Sequence, residues 1–514
     1  MEGPRDMSDV KKVVVIGAGL GGMCAAARLA RAGYTVNVYE SSDQVGGKCR
    51  TEWVGKYAFD TGPSLLTLPA VYRDFFLKTG APLETVLELQ PVEPSFDYRF
   101  ADGSRVEFNN LSRFDTLQSI TSAFGADSSR DWNTLMQRAE KMWDVSREPF
   151  IESELRSVFS LLKRPRLMRD LKIIAPWLSL RDLVQKETKD YRLQYIADRY
   201  ATYSGSDPRL APAVLLSIAF VEEAFGAWHI KGGIGKLSEA VHNRALECGV
   251  QFHLNSPIAS INQTNKKVTG ITLENGEVIE SAIVVANADA RDVYTSLLPP
   301  TLPVTGSARK SISHSDASVA GFTLLLGLRP DPMAQRLRHH TVLFPENYDA
   351  EFDAIFKEGK PVDNPTIYIC APHDETMVAQ SGYESWSVLV NAPAHSTSGF
   401  GWDWNDEKFV RDYGAKIISQ IESRGINIRD RLEVLELRTP ADLERTVRAP
   451  GGSIYGTSSN GPRAAFRRAR NSSPLGGLFC VGGSAHPGGG LPLVGISAEI
   501  VANAISKKQN AKRK

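Results

Sequence analysis

A chain of 514 residues is long enough for two or three domains, and its apolar share of 42% is ordinary for a soluble globular protein. Its net charge of +1 provides no global field to attract nucleic acid, so no nucleic-acid partner is expected. Five scattered cysteines (24, 49, 248, 370, 480) contain no C-x-x-C pair, which argues against a disulfide framework or a zinc site and suits a reducing compartment. The first twelve residues are polar and charged, so no signal peptide is expected, and no run approaches the roughly 18 apolar residues of a membrane span.

In chain order, Val13 to Ile16 reads as a strand buried on both faces. A glycine turn follows, then an Ala-rich helix from about Gly21 to Ala32, which Gly33 stops. Thr35 to Tyr39 is a second strand, with Glu40 at its end. Gly17, Gly19 and Gly22 give the G-x-G-x-x-G spacing, and Glu40 lies 23 residues after Gly17. The first glycine permits the turn, the second lets backbone approach a pyrophosphate, and the third lets helix and strand pack closely. The helix start offers free N–H groups to the diphosphate, and the carboxylate suits a ribose. The unit does not by itself separate FAD from NAD.

Gly46-Gly47-Lys48 then offers open amides, with Lys48 and Arg50 as cations for a second phosphate. Asp60-Thr61-Gly62-Pro63-Ser64 is a turn without bulk, able to lie against a flat ring. Phe96 to Phe100 and Arg105 to Phe108 flank an Asp-Gly turn and predict a hairpin in a second domain's sheet. Residues 112–225 read as mainly helical. Within them, Arg156 to Arg181 mixes seven basic residues with large apolar ones, a pattern that fits either an anionic-lipid surface or a core helix with a basic face.

Gly226 to Leu237 leads into a helix and the strand Val250 to Leu254. An antiparallel ribbon from Ile258 to Ala286 turns at Asn275-Gly276 and returns to the nucleotide domain. Ser318 to Leu328 and Ser385 to Asn391 are further strands. His339-His340 is expected to bind no metal, because neighbours on a strand point apart and no carboxylate follows at ligand spacing. Gly477 to Pro492 runs from a strand through Gly482-Gly483 and Gly488-Gly489-Gly490-Leu491 into a helix from about Val494 to Ile505, whose free amides can hold a ribitol or a ring edge. No catalytic base is assigned; His229 and His486 are the candidates nearest the glycine segments.

Val13 to Thr51 resembles the dinucleotide-binding signature of two-domain FAD oxidoreductases. The Gly46-Gly47-Lys48 and Asp60 to Ser64 segments resemble the branch holding amine oxidases and carotenoid desaturases, and Gly477 to Pro492 resembles the C-terminal flavin segment of bacterial-type phytoene desaturases. The resemblance implies an α/β fold: a Rossmann-like FAD-binding domain built from 1–70, 226–295 and 441–514, a mixed-sheet substrate domain from 71–225 and 296–440, and a helical membrane-facing subregion. It implies FAD held by Gly17, Gly19, Gly22, Glu40, Gly47, Lys48, Thr61, Gly62, Pro63, Gly482, Gly483, Gly490 and Leu491, with a backbone contact to adenine from Ile258.

The implied activity is desaturation of a carotenoid precursor, phytoene or a close relative, by hydride transfer to flavin N5. The substrate would lie in an apolar corridor, with peripheral docking on the cytoplasmic side of a membrane and oxygen or quinone as acceptor. Gly482-Gly483 replaces a common Gly-Ala pair, and Gly490-Leu491-Pro492-Leu493 departs from Gly-Ile-Pro-Gly, which leaves the substrate open. A carotenoid isomerase, a terminal 3,4-desaturase, an amine oxidase and a lipid-binding escort without FAD remain alternatives.

Overall fold

The computed structural model describes residues 11–155, 166–331 and 336–510. A five-stranded parallel sheet runs in the order Gln251–His253, Thr35–Tyr39, Lys12–Ile16, Val284–Ala286, Leu478–Cys480. Its central strand explains its own composition. Val13 and Val15 pack on one face with the helix Leu20–Arg31, while Val14 and Ile16 pack on the other with the antiparallel ribbon. Both faces are covered, so Val13 to Ile16 are all apolar. The first helix starts at Leu20, one residue before the expected start, and the last helix spans Leu491–Asn510, three residues longer at its front.

A seven-stranded sheet forms the second body, in the order Leu432–Arg438, Ala320–Leu328, Glu384–Ala392, Ile367–Cys370, His340–Leu343, Phe96–Arg99, Arg105–Phe108. The predicted hairpin is its edge. The one parallel pair joins His340–Leu343 to Phe96–Arg99. At one end of the sheet Phe322, Trp386 and Trp404 pack under the helix Glu407–Glu422. At the other end the aromatic strand Phe96–Arg99 packs against helices between residues 113 and 225.

A small three-stranded sheet, Leu66–Thr67, Ala227–Ile230 and Leu89–Pro91, stands beside the large ones. No described helix is long and apolar enough to cross a membrane. Of the basic stretch, residues 156–165 lie outside the described residues. Arg181 is not a free cation: it pairs with Asp198 and Asp349. Met168 and Trp177 are 72% and 64% exposed.

Candidate functional site

The first glycine turn leaves the central strand at Ile16. Gly17 takes φ +88°, a conformation that favours glycine, and its N–H donates to the carbonyl of Tyr39. Glu40 follows, and its carboxylate accepts from Ala18 N at 2.7 Å and Ser42 N at 2.9 Å. The turn and the acid therefore brace each other. Ser256 N donates to the carbonyl of Glu40, and the ribbon begins two residues later at Ile258, which is buried. That brings the start of the ribbon beside the ribose-side acid.

The Gly46-Gly47 loop lies on this turn. Gly46 N donates to Ala18 O, and a Cβ on Gly47 would sit 3.3 Å from Gly19 Cα. The Asp60 to Ser64 turn lies on the loop in its turn: a Cβ on Gly62 would meet Lys48 O at 1.8 Å, and Thr61 N donates to Arg50 O. Only backbone fits there. Pro63 completes the turn, half-buried. Asp60 anchors it, accepting from Thr51 Oγ1 at 2.6 Å and Ile234 N at 2.9 Å, and burial raises its carboxyl to about 6.

The C-terminal glycines close on the same place. A Cβ on Gly21 would lie 3.1 Å from Gly482 Cα and 3.0 Å from Val494. Gly490, at φ +103°, has open space where a Cβ would be, and Leu491 starts the last helix, its carbonyl accepting from Tyr72. Gly483 presents its carbonyl to Arg468. Sequence reasoning missed the residue at the junction. The Asn287 side chain lies within 2.8 Å of where Cβ atoms of Gly19, Gly21 and Gly482 would stand. Asn287 directly follows the strand Val284–Ala286, and an Asn at a strand end carries no distinctive pattern.

Two cations deviate from simple expectation. Lys48 Nζ donates to Ser453 O at 2.7 Å and Ile454 O at 2.9 Å, and burial lowers it to about 8. Arg468, also missed, is buried and donates to the carbonyls of Tyr455, Thr457 and Gly483; burial lowers it to about 10. Among the described residues neither makes an ion pair with a carboxylate. Arg50 instead ties its own loop, donating to Val45 O and Gln44 O. A backbone-lined cradle, a helix start and two cations whose hydrogen bonds go only to carbonyls fit a dinucleotide that carries two negative phosphates.

Beyond the cradle, charged side chains stand among aromatic ones. Arg199 is buried among Phe96, Tyr98, Tyr203 and Tyr368, its guanidinium carbon 4.5 Å from the Phe96 ring centre and 5.0 Å from that of Tyr203. Glu222, also buried, accepts from Tyr200 at 2.7 Å and Tyr203 at 2.9 Å. Burial raises its carboxyl. This aromatic box reaches the cradle through Tyr368, which hydrogen-bonds Ser64 at 2.8 Å and His340 at 2.7 Å. Composition could not reveal it, because its members are spread from residue 96 to residue 368.

The histidine candidates are engaged elsewhere. His229 Nε2 bonds Asp374 Oδ2 at 2.9 Å in the small sheet. His486 Nε2 donates to Ser153 O at 2.9 Å, and burial lowers the ring to about 4. His339 and His340 do not point apart as expected. The strand begins only at His340, so the alternation of a pleat does not extend to His339, and the ring centres are 4.3 Å apart. Cys370 joins them, one ligand atom from each of the three lying within 4.8 Å of the others.

A family profile described as flavin containing amine oxidoreductase matches residues 20–346. The chain belongs to that family. Its cofactor is FAD, and the protein is an oxidoreductase. Among similar proteins, a 1-hydroxycarotenoid 3,4-desaturase from Flavobacterium sp. (strain P99-3) is 32% identical over 96% of this chain and 99% of its own. A 4,4'-diapolycopene oxygenase from Methylomonas sp is 29% identical over 97% and 98%. An oxidoreductase from Methanosarcina mazei shares the fold, with a TM-score of 0.63 at 16% identity, covering 96% of this chain and 100% of that one. These relatives place the flavoprotein in the carotenoid desaturase family, with an apolar carotenoid as its class of substrate.

Proposed function

We propose that this flavoprotein desaturates an acyclic carotenoid near one end of its chain, with phytoene as the competing substrate. Gly17, Gly19, Gly22, Gly47, Thr61, Gly62, Pro63, Gly482, Gly483, Gly490 and Leu491 would line the FAD cradle, Glu40 and Ile258 would serve its ribose and adenine end, and Lys48 would neutralise phosphate. When bound, FAD supplies a two-electron acceptor at N5. The substrate would give hydride from one carbon to that acceptor and a proton from its neighbour to solvent, leaving a double bond between them. The chain's own contribution is positioning and exclusion of water: a long hydrocarbon is held by burial, worth about 25 cal/mol per Å².

The observation that carries the end-directed reading is Arg199 in its aromatic box, one residue (Tyr368) away from Ser64. A guanidinium there suits a substrate end that carries oxygen, whereas a pure hydrocarbon would leave it without a new partner. The names of the two relatives, a hydroxycarotenoid desaturase and an oxygenase of an acyclic carotenoid, support the same choice. The exposed Met168 and Trp177 support peripheral docking on a membrane, from which such a substrate must come. Oxygen or a quinone would reoxidise the flavin.

The test presents phytoene and a 1-hydroxylated acyclic carotenoid in lipid vesicles to the yellow protein, with mass analysis of the products. Loss of two hydrogens from the hydroxylated substrate is expected. Unchanged mass with altered geometry would mean an isomerase, gain of oxygen an oxygenase, and preferential consumption of phytoene would overturn the end-directed reading.

A further inference from the structure

The seven-stranded sheet carries a second cluster that the flavin chemistry does not use. His340 and Cys370 are a directly opposed pair on neighbouring antiparallel strands. Opposed residues on one face hold their Cβ atoms about 4.5–5.5 Å apart, close enough to share one ligand. His339 joins from the residue before the strand, where its carbonyl accepts from Ala371 N at 2.8 Å. Its Nδ1 stands 3.8 Å from Cys370 Sγ. Bonds of about 2.0 Å to nitrogen and about 2.3 Å to sulfur, opened to near 120°, span about 3.7 Å.

Two further observations point to a missing ligand. The Nε2 atom of His340 is buried and without a hydrogen-bond partner. Leaving a buried imidazole nitrogen unsatisfied is costly unless something binds it. His340 is also oriented in the way a metal ligand is. Its Nδ1 is taken by the Tyr368 hydroxyl at 2.7 Å, which in turn bonds Ser64, so Nε2 is the nitrogen left to bind. A metal-bound histidine ordinarily has its second nitrogen fixed by such a partner.

We propose that His339, His340 and Cys370 form a binding site for a divalent cation of the zinc class, tying the strands His340–Leu343 and Ile367–Cys370 together behind the Ser64 turn. Two imidazoles and one thiolate are a borderline-soft donor set, which selects zinc over calcium or magnesium. On binding, the Cys370 S–H bond breaks, its proton leaves to solvent, and the sulfur electron pair goes to the metal. No electron is transferred. Three protein ligands leave a fourth position open for water. The site stands on the sheet and is independent of which carotenoid the enzyme takes.

The test uses the full FAD-loaded chain, stripped with a chelator and titrated with Zn²⁺ or Co²⁺. One ion per chain is expected, with a raised thermal midpoint and the long-wavelength visible bands of tetrahedral cobalt, clear of the flavin spectrum. Cys370→Ser and His339→Ala should each abolish those bands while flavin content stays at wild-type level. Failure of the wild-type chain to retain either ion overturns the proposal, and so does an unchanged cobalt spectrum in Cys370→Ser. Should the variants misfold, X-ray absorption on the zinc-loaded wild-type chain decides: one sulfur and two imidazole nitrogens support the site, and a shell without sulfur overturns it. Flavin content in the same samples reports on the cofactor assignment separately.

Discussion

The FAD cradle and the aromatic box behind it are built from opposite materials. The cradle is mostly backbone. At Gly21, Gly47 and Gly62 an added Cβ would press on backbone, and at Gly19, Gly21 and Gly482 on the Asn287 side chain, so side chains have no room there. The box is mostly side chain: Arg199 donates to Tyr98, Glu222 accepts from Tyr200 and Tyr203, and His340 bonds Tyr368. A backbone-built site fails when anything is added, and a side-chain-built site fails when something is removed.

The most severe way to probe that difference is an addition to the cradle. A Cβ on Gly19 would already lie 2.7 Å from Asn287 Nδ2, and Val adds two methyl groups toward the diphosphate. Gly19→Val should yield colourless protein, a loss of flavin affinity on the order of a thousandfold or more, equivalent to about 4 kcal/mol. Flavin absorbance per chain after gel filtration measures it, and stoichiometric retention would refute the placement of FAD.

The matching removal in the box is Arg199→Met, which keeps the stem against the rings and deletes the charge. A hydrogen bond to a charged group is worth about 1.5–3 kcal/mol, so kcat/KM for a hydroxylated carotenoid should fall about 10–100-fold. Turnover of a hydrocarbon substrate should hold or improve. Equal losses on both would show that Arg199 supports the fold and does not read the substrate end.

The same division decides what could be read before the fold was known. Gly17, Gly19, Gly22 and Glu40 lie within one strand–turn–helix–strand unit, and local spacing encodes their geometry. The Gly482 to Leu491 segment is equally local. Asn287 was passed over because an Asn at a strand end has no distinctive pattern. Lys48 was assigned a charge role by type, but its carbonyl partners lie more than 400 residues away. The box was invisible for the same reason: Phe96, Arg199, Glu222 and Tyr368 meet only after the seven-stranded sheet has packed on two helices. His339-His340 misled because pleat alternation was applied one residue too early.

The two regions should also answer acid with opposite signs. Burial holds His486 down to about 4, below its ordinary 6.5, so its contribution is present above pH 6.5 and is lost as pH falls toward 4. At pH 5 that amounts to about 2 kcal/mol. Burial raises Glu222 above the ordinary carboxylate range, so acid relieves the box. Flavin release should therefore begin on acidification while the core around Glu222 stays protected. Amide exchange at pH 7 and pH 5 measures both, and His486→Gln should flatten the acid limb of the melting curve. Simultaneous opening of the two regions would contradict the contrast.

The smallest effect tests whether the cradle is backbone alone. Lys48 is a sequence-predicted cation held by two carbonyls and lowered to about 8 by burial. An approaching diphosphate would restore its full charge, so it should contribute a single charge-assisted interaction on top of the amides. Lys48→Met should weaken FAD by about tenfold, near 1.4 kcal/mol, with the flavin still bound at micromolar protein. Flavin fluorescence on dilution reads the change. The loss should also shrink above pH 8 in the wild-type comparison, where the free lysine of the empty cradle is already neutral and must take up a proton to help. A loss as large as that of Gly19→Val would mean that side-chain charge, and not the glycine-lined amides, holds the dinucleotide.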